Sequence, residues 1–405
     1  MNGLLTNISQ LAICPAAGRP GDIGLVTGAA LAWNQGRIVW AGPTESMPAQ
    51  VRGWPAEDAQ GALVVPGLID CHTHLAFAGW RADEFDRRCR GATYQEIAAS
   101  GGGIMSTVRR TRAASETELH ARARGFLESM TDLGITTVEC KSGYGLTTED
   151  ELKLLRVYRR LREEGPQTVV STFLGAHVVP PEFQSRRAEY VRLVSEEMVP
   201  RLASEQLATF CDVFVEDGAF TPDEARQIFA AAGRHGLRPK LHADQLTDSD
   251  GAALAAEVGA VSADHLECVR DAGLAAMAGG GVVAVILPLA STYLQTRPLE
   301  ARRCFQAGVP VAVATDFNPG TAPSYHLPLA LMLACTASRM TPAEALQGAT
   351  IQAARALGLA EEVGSLESGK RADFVLLDAE SVEHWISHFR PNAVRAVFVG
   401  GRRIR

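Results

Sequence analysis

His72 and His74 stand at the end of an apolar run, Leu63 to Ile69, and one residue separates them. In extended backbone, side chains two residues apart point to the same face, so both imidazoles face one side of the predicted strand. Two converging imidazoles are suited to bind a single metal ion. A His-x-His pair also occurs by chance at strand ends, so it predicts a metal site only where further ligand-type residues join it.

Three further ligand-type residues, His242, His265 and Asp316, also follow apolar runs. Neutral imidazoles with one carboxylate and an open position for water are typical of Zn²⁺ or Fe²⁺ sites, whereas Mg²⁺ and Ca²⁺ prefer oxygen ligands. A metal ion of this kind lowers the pKa of its bound water from about 15.7 to about 7 and polarises a carbonyl group. These residues therefore predict metal-dependent hydrolysis.

A second group of residues is suited to an organic substrate. Arg81 follows the histidine pair, and Tyr144 and His177 follow two later apolar runs. Arginine and tyrosine hold a carboxylate by charge-assisted hydrogen bonds, each contributing about 1.5 to 3 kcal/mol. Taken singly, a surface salt bridge for Arg81 and a packed loop position for Tyr144 are the more common roles. Their shared position after predicted strands favours contact with a substrate.

Apolar, β-rich runs alternate with helical stretches through most of the chain, which predicts an α/β fold, a (β/α)8 TIM-type barrel with a parallel sheet. Barrel enzymes place catalytic groups at the carboxyl ends of the strands, where the ligand-type residues fall. Helices are expected over Glu149 to Glu164, Ala188 to Ala203 and Pro222 to His235. The eight predicted strands are Leu63 to Ile69, Ile135 to Cys140, Thr168 to Leu174, Cys211 to Val215, Arg238 to Leu241, Ala260 to Ala263, Val282 to Leu287 and Val309 to Ala314.

Both ends of the chain have β character without the helical alternation, and a helix is expected over Pro342 to Leu357 before the second end begins. No helix is expected between the C-terminal strands. We expect residues 1–62 and 359–405 to form one small β-sandwich domain beside a barrel of residues 63–358. The terminal β-rich runs are Ala29 to Trp33, Arg37 to Ala41, Ala372 to Leu377 and Ala393 to Val399.

Composition narrows the class of protein. The 405 residues carry a formal net charge of -7, which argues against nucleic acid as a partner. Apolar stretches such as Val282 to Ala290 are far shorter than the ~20 residues of a membrane span, and the first 18 residues lack the pattern of a secretory signal. The 8 dispersed cysteines include no C-x-x-C pair and are expected to be buried free thiols. We therefore expect a cytoplasmic protein that binds no membrane.

His72-Thr73-His74, His242, His265 and Asp316 together resemble the amidohydrolase superfamily. Finer motifs resemble the imidazolonepropionases, a family of ring-opening hydrolases of histidine degradation, along nearly the whole chain. These motifs are Gly101-Gly102-Gly103-Ile104, Lys141-Ser142-Gly143-Tyr144-Gly145-Leu146, Leu174-Gly175-Ala176-His177, His242-Ala243-Asp244-Gln245 and Thr315-Asp316-Phe317-Asn318-Pro319-Gly320-Thr321.

The resemblance implies a set of roles. One zinc or iron ion per chain would be bound by His72, His74, His242 and Asp316. Contacts to the substrate, 4-imidazolone-5-propanoate, would come from Arg81, Tyr144, His177 and Gln245. The ring or the opened product, N-formimidoyl-L-glutamate, would contact Asn318, Gly320 and Thr321. The resemblance also implies a homodimer.

The proton carrier is a separate question. Some schemes for this family place a carboxylate where Gln245 stands, and an amide cannot accept the proton of water. The catalytic group is therefore expected to comprise Gln245 with His265 and Asp316, and proton transfer falls to His265 or Asp316.

Other functions stay open from the sequence. A dihydroorotase or hydantoinase-like enzyme, or a deaminase of the same superfamily, would use a similar ligand pattern. Members with two metal ions use a carbamylated lysine at the end of the fourth strand, where this chain has Phe214-Val215-Glu216-Asp217, so the two-metal version is disfavoured. A metal-binding or ligand-binding protein without activity is a further alternative, against which the complete set of ligands and proton carriers argues.

Overall fold

A computed structural model describes residues 2–92, 96, 101–388 and 390–405. Its central sheet has eight parallel strands, and each strand pairs with the next along the chain. A bridge between Thr73 and Phe317, and a 3.0 Å hydrogen bond from the Asp316 amide to the His72 carbonyl, join the two ends of the sheet. The predicted barrel is confirmed. Its strands are Leu68–Asp70, Ile135–Lys141, Thr168–Ala176, Phe210–Val215, Arg238–Ala243, Ser262–His265, Val283–Ile286 and Val311–Val313.

A second sheet is built from both ends of the chain, as the sequence predicts. It is mixed, because its first strand pairs antiparallel with the second and parallel with the fifth. Its own core includes Trp33, Phe374 and Phe398, and the two phenylalanine rings stack with centroids 4.4 Å apart. The strands are Asn2–Ala12, Leu25–Asn34, Arg37–Pro43, Ala56–Asp58, Leu63–Pro66, Phe374–Leu377, Val394–Val399 and Arg402–Arg403.

The run Leu63 to Ile69, predicted as one barrel strand, is divided between the two sheets. Leu63–Pro66 pairs with Phe374–Leu377 in the small sheet, and only Leu68–Asp70 belongs to the barrel. The chain changes sheets at Gly67, where a side chain would collide with Thr136 and Asp373. Glycine is therefore required by the close approach of the two sheets, and apolar character alone does not reveal such a break.

Two helix predictions are wrong. The helix expected over Pro342 to Leu357 is two helices, Pro342–Gly348 and Ile351–Ala356, because Thr350 leaves the helical conformation with φ -131° and ψ -100°. A helix, Val382–Ser387, also lies between the C-terminal strands where none was expected. Its six residues are too few to show helical periodicity in the sequence.

The barrel helices begin with recognisable caps. The Thr221 hydroxyl accepts a hydrogen bond from the Glu224 amide, and the Glu224 carboxylate accepts one from the Thr221 amide, which is a capping box. The expected helix over Ala188 to Ala203 is continuous but contains a π-helical segment, Leu193–Met198. The helix that follows Thr221 is Pro222–Arg234. The other α-helices among the described residues are Ala82–Cys89, Ile104–Ala113, Glu116–Asp132, Thr148–Glu164, Gly251–Glu257, Asp271–Gly280, Pro288–Leu294, Ala301–Ala307 and Leu327–Thr336. Short 3-10 helices cover Thr44–Ser46, Ala49–Val51 and Pro181–Arg186.

The cysteines were expected to be buried, and three are not. Cys89 is exposed, and Cys268 and Cys335 are half-buried, whereas the other five are buried; all eight are free thiols. Across the described residues, no helix is both long enough and apolar enough to cross a membrane.

Candidate metal centre and substrate cavity

His72, His74 and His242 meet at the carboxyl end of the barrel. One potential ligand atom from each lies within 4.8 Å of those of the others, and the three side chains are buried. Asp316 joins them from the end of the eighth strand: its Oδ1 lies 3.5 Å from His72 Nε2 and 3.6 Å from His74 Nε2. The four residues predicted as metal ligands are thus neighbours in space.

The donor atoms fit a metal ion. Nε2 of His72 and Nε2 of His242 are buried and have no hydrogen-bond partner among the described residues. Leaving a polar atom buried without a partner costs about 1 to 3 kcal/mol, so such atoms normally face an unseen water molecule or ion. Burial lowers the pKa of His72, His74 and His242 well below its usual range, with further lowering by nearby positive charge. The imidazoles are therefore neutral, as a metal requires.

Two aspartates that the sequence analysis missed hold two of these histidines. Asp264 Oδ2 lies 2.6 Å from His72 Nδ1, and Asp212 Oδ2 lies 3.0 Å from His242 Nδ1. The hydrogen bond to Asp264 fixes the orientation of the His72 ring and leaves its Nε2 lone pair free for a metal. Asp212 faces His242 Nδ1 at ion-pair distance, without hydrogen-bond geometry. The signal in the sequence was an aspartate within or next to a predicted apolar strand. A charge that is buried there needs a partner to be tolerated.

His265 lies beside this cluster at the end of the sixth strand. It has φ +80° and Leu266 has φ +67°, a left-handed conformation that is costly for residues other than glycine and is concentrated at functional sites. Its Nδ1 lies 3.8 Å from Glu267 Oε2. Burial opposes protonation of His265, but contact with Glu267 and the negative charge of Asp316 prevail, so its pKa is raised. His265 also groups with His72 and Asp316 by distance, so it is placed to carry protons or to bind metal.

A cavity of about 360 Å³ opens above the cluster. Among the predicted site residues, His72 lies fully buried and Gly320 lies beside the cavity, and the others line it. Apolar contacts that the sequence analysis missed come from Ile104, Phe214 and Leu294. The predicted residues in the lining are His74, Arg81, Tyr144, His177, His242, Gln245, His265, Asp316, Asn318 and Thr321.

Arg81 reaches the cavity from the amino-terminal end of Ala82–Cys89. Its side chain is 8% exposed, and Nε has no hydrogen-bond partner among the described residues. The nearest carboxylate, Glu84, lies 3.9 Å from Arg81 Nη1 and also accepts a hydrogen bond from the Gly103 amide. A buried guanidinium with an unused N–H is suited to bind an anionic group of a substrate.

Tyr144 and His177 are neighbours in the cavity lining, with ring centroids 5.7 Å apart. The loop that carries Tyr144 is held by buried Glu151, whose carboxylate accepts hydrogen bonds from the Gly143, Gly145 and Leu146 amides at 2.8 to 3.0 Å. Burial lowers the pKa of His177 to about 4, so its imidazole is neutral at pH 7.

The Asn318–Thr321 turn lies at the end of the eighth strand. The side-chain oxygen of Asn318, Oδ1, accepts hydrogen bonds from the Gly320 and Thr321 backbone amides, both at 2.8 Å, and its side-chain NH₂ group donates to the Asp316 backbone carbonyl. Asn318 was predicted to contact substrate. Its hydrogen bonds to backbone groups also stabilise the turn. Gln245, also predicted, is half-buried at the cavity.

Comparisons with known proteins identify the family of this chain. A model of the amidohydrolase family matches residues 63–404. An imidazolonepropionase of Geobacillus kaustophilus (strain HTA426) is 47% identical over 385 residues, covering 94% of this chain and 91% of that protein. An imidazolonepropionase of Paraburkholderia phymatum is 50% identical over 356 residues, covering 87% and 86%.

Solved structures of more distant proteins share the fold. A triazine hydrolase variant has a TM-score of 0.78 at 16% identity, covering 100% of this chain and 94% of that chain. An adenosine deaminase from Xanthomonas campestris with bound zinc has a TM-score of 0.69 at 19% identity, covering 99% and 92%. Taken with the family match and the two closer relatives, these findings show that the chain belongs to the amidohydrolase family and, within it, to the imidazolonepropionases.

Proposed function

We propose that this protein hydrolyses the cyclic amide C–N bond of 4-imidazolone-5-propanoate to give N-formimidoyl-L-glutamate, a step in the degradation of L-histidine to L-glutamate. The observation that carries the proposal is one cavity that joins a cluster of metal-ligand type to a buried, underused arginine. The cluster is suited to hydrolytic attack on a ring carbonyl, and the arginine is suited to bind the propionate group of the substrate.

One divalent ion per chain, Zn²⁺ or Fe²⁺, is part of the proposal, with His72, His74, His242 and Asp316 as its ligands. The ion, when bound, supplies Lewis acidity toward the ring carbonyl and makes a nearby water molecule more acidic. Support comes from the donor set, which has three neutral imidazoles and one carboxylate, and from the partnerless Nε2 atoms of His72 and His242.

The side chains around the ion divide the remaining work. Arg81 and Tyr144 bind the substrate carboxylate, and His177 and Gln245 orient the ring through hydrogen bonds. Hydrolysis adds a hydroxyl group to the ring carbonyl carbon, breaks its bond to the ring nitrogen, and places a proton on that nitrogen. His265 takes the proton from the attacking water and returns one to the departing nitrogen. Gln245 has no proton to exchange, and Asp316 is committed to the ion.

The Asn318–Thr321 turn completes the proposed site. Within it, Asn318, Gly320 and Thr321 contact the ring or the opened product.

The proposal extends to the whole molecule. We assign residues 1–62 and 359–405 to one small domain and residues 63–358 to the barrel unit, with the first four residues of that unit, Leu63–Pro66, paired in the small sheet. A cytoplasmic homodimer that binds no nucleic acid completes the assignment. Light scattering during size-exclusion chromatography tests the dimer directly: a mass of one chain contradicts it.

An assay of purified enzyme with four substrates tests the function. We expect metal-dependent turnover of imidazolonepropionate and none of dihydroorotate, hydantoin or guanine. Inductively coupled plasma analysis of the active enzyme should find one metal equivalent per chain. Turnover of another substrate instead would replace the assignment, and two equivalents, with activity proportional to the second, would contradict the single-ion site.

A further inference from the structure

A cluster of five charged side chains lies inside the barrel and is not used by the proposed chemistry. All five are fully buried: two are lysines and three are carboxylates. Buried charges are tolerated only where their partners are close and hydrogen-bonded. The cluster consists of Glu139, Lys141, Asp212, Lys240 and Asp264.

Lys141 is the centre of this cluster. Its Nζ lies 2.7 Å from Asp212 Oδ2, 3.1 Å from Glu139 Oε1 and 3.2 Å from Asp264 Oδ2. The two aspartate oxygens are the same atoms that contact Nδ1 of His242 and Nδ1 of His72. One ammonium group is therefore linked through a single carboxylate oxygen to each of two histidines of the candidate metal centre.

The remaining aspartate oxygens are also occupied. Asp212 Oδ1 accepts a hydrogen bond from the His242 amide at 3.1 Å, and Asp264 Oδ1 accepts one from the Ser262 hydroxyl at 2.6 Å. Each carboxylate is thus held at both ends, and neither can rotate without losing a contact in the buried interior. The other oxygen of each carboxylate faces Nδ1 of one of the two histidines.

We propose that Lys141 is a positioning residue for the metal centre, which sets the orientation and tautomer of His72 and His242 together through Asp264 and Asp212. An ammonium group only donates hydrogen bonds, so an oxygen facing it acts as an acceptor. An imidazole nitrogen sharing that oxygen must then present its N–H. With the proton on Nδ1, the lone pair is on Nε2, which in both histidines is buried and has no hydrogen-bond partner among the described residues.

The chain contains two internal comparisons. His74 belongs to the same centre, but the carboxylate that contacts it, Asp316, lies nearest to its Nε2, at 3.6 Å, whereas the aspartates beside His72 and His242 contact Nδ1. Lys240 is as deeply buried as Lys141 and contacts Glu139 Oε2 at 2.7 Å and the Ala356 carbonyl at 3.3 Å. Among the contacts that the structure describes, Lys240 does not touch the aspartate oxygens at the histidines, so it provides a matched control.

The experiment uses full-length Lys141→Met and Lys240→Met variants. Nitrogen-15 NMR of the metal-free proteins measures the histidine tautomers, and competition with a chelator measures the dissociation constant for Zn²⁺. In Lys141→Met, His72 and His242 should lose their preference for the Nδ1–H tautomer while His74 is unchanged. The Zn²⁺ dissociation constant should rise on the order of 10- to 100-fold. Lys240→Met should keep the native tautomers and affinity.

Two results would overturn the proposal: a folded Lys141→Met protein with native tautomers and affinity, or equal losses in both lysine variants. Should Lys141→Met fail to fold, Lys141→Met/Glu139→Gln restores the net charge of the cluster and keeps both aspartates. The same tautomer change is expected there, and native tautomers contradict the proposal.

This inference rests on the proposed metal ligands, but its failure is distinguishable from theirs. The tautomers are measured without metal. A wild-type protein that binds no Zn²⁺ would contradict the ligand assignment and leave the tautomer result standing.

Discussion

The guanidinium group of Arg81 occupies the space that a side chain on Gly320 would need. Gly320 has no positive φ, and the three atoms nearest to such a side chain all belong to Arg81. The absence of a side chain at position 320 therefore lets the arginine lie against the turn at the cavity.

Gly320→Ala should displace Arg81 and lower kcat/KM for imidazolonepropionate. The loss of transition-state stabilisation should approach that of one charge-assisted hydrogen bond, about 1.5 to 3 kcal/mol. Gly125→Ala is the control, because that helical position has open space and should leave kcat/KM unchanged. Steady-state kinetics of Gly320→Ala, Arg81→Met and the double variant decide the point. Fully additive losses would show that Gly320 acts independently of Arg81.

Substrate anchoring is tested by removing the donors themselves. Arg81→Met and Tyr144→Phe should each lower kcat/KM, because each removes a proposed hydrogen bond to the propionate group. The fall in kcat/KM should correspond to a loss of about 1.5 to 3 kcal/mol in transition-state stabilisation. Metal content should stay at the wild-type value, since neither residue belongs to the ligand set. Wild-type kcat/KM in both variants would make these residues structural and remove the main chemical support for the substrate.

Substitutions of His265 and of His242 should have different effects on kcat and on metal content. A positioned general base contributes about 10² to 10⁴ in rate, so His265→Asn should lower kcat by that order with the metal retained. His242→Asn should lose metal, because it removes a ligand. Measuring kcat and bound metal for both variants separates the roles. Near-normal kcat in His265→Asn refutes the proton-carrier role, and loss of metal there makes His265 a ligand.

Metal binding should depend on pH through Asp316. Burial raises the pKa of this carboxyl from its usual range to about 7, so a proton competes with the ion for it below neutrality. The three histidines proposed as ligands have strongly lowered pKa values and stay neutral. Below pH about 7, the Zn²⁺ dissociation constant should therefore rise about tenfold per pH unit, the dependence of one proton. Chelator competition between pH 5 and 8 measures it, and a flat profile contradicts it.

The strand ends of the barrel were predictable because apolar runs and helical stretches alternate over most of the chain. His72, His74, His242, His265 and Asp316 fall at those ends, and parallel strands bring their carboxyl ends to one face of the barrel. The order and direction of the strands are therefore enough to predict that these residues lie close together, without knowledge of side-chain contacts.

The partners of these residues were not predictable. Asp264 contacts His72 across 192 positions of sequence, and nothing in the spacing indicates which strand faces which. The break at Gly67 was hidden for a similar reason, because the residues before and after it are equally apolar and differ only in the sheet that they join. Which side chains pair, and which sheet a segment joins, are decided only when the whole barrel has folded.

Leu63–Pro66 lies between the first strand of the chain and Phe374–Leu377, a strand that follows the whole barrel in sequence. During synthesis, one edge of Leu63–Pro66 therefore has no partner until the ribosome has made the barrel and most of the C-terminal segment. An unpaired edge can recruit a strand from a neighbouring nascent chain. The small sheet is thus the last part of the protein to be completed, and chains released before Phe374–Leu377 present an open edge to chaperones, proteases and one another.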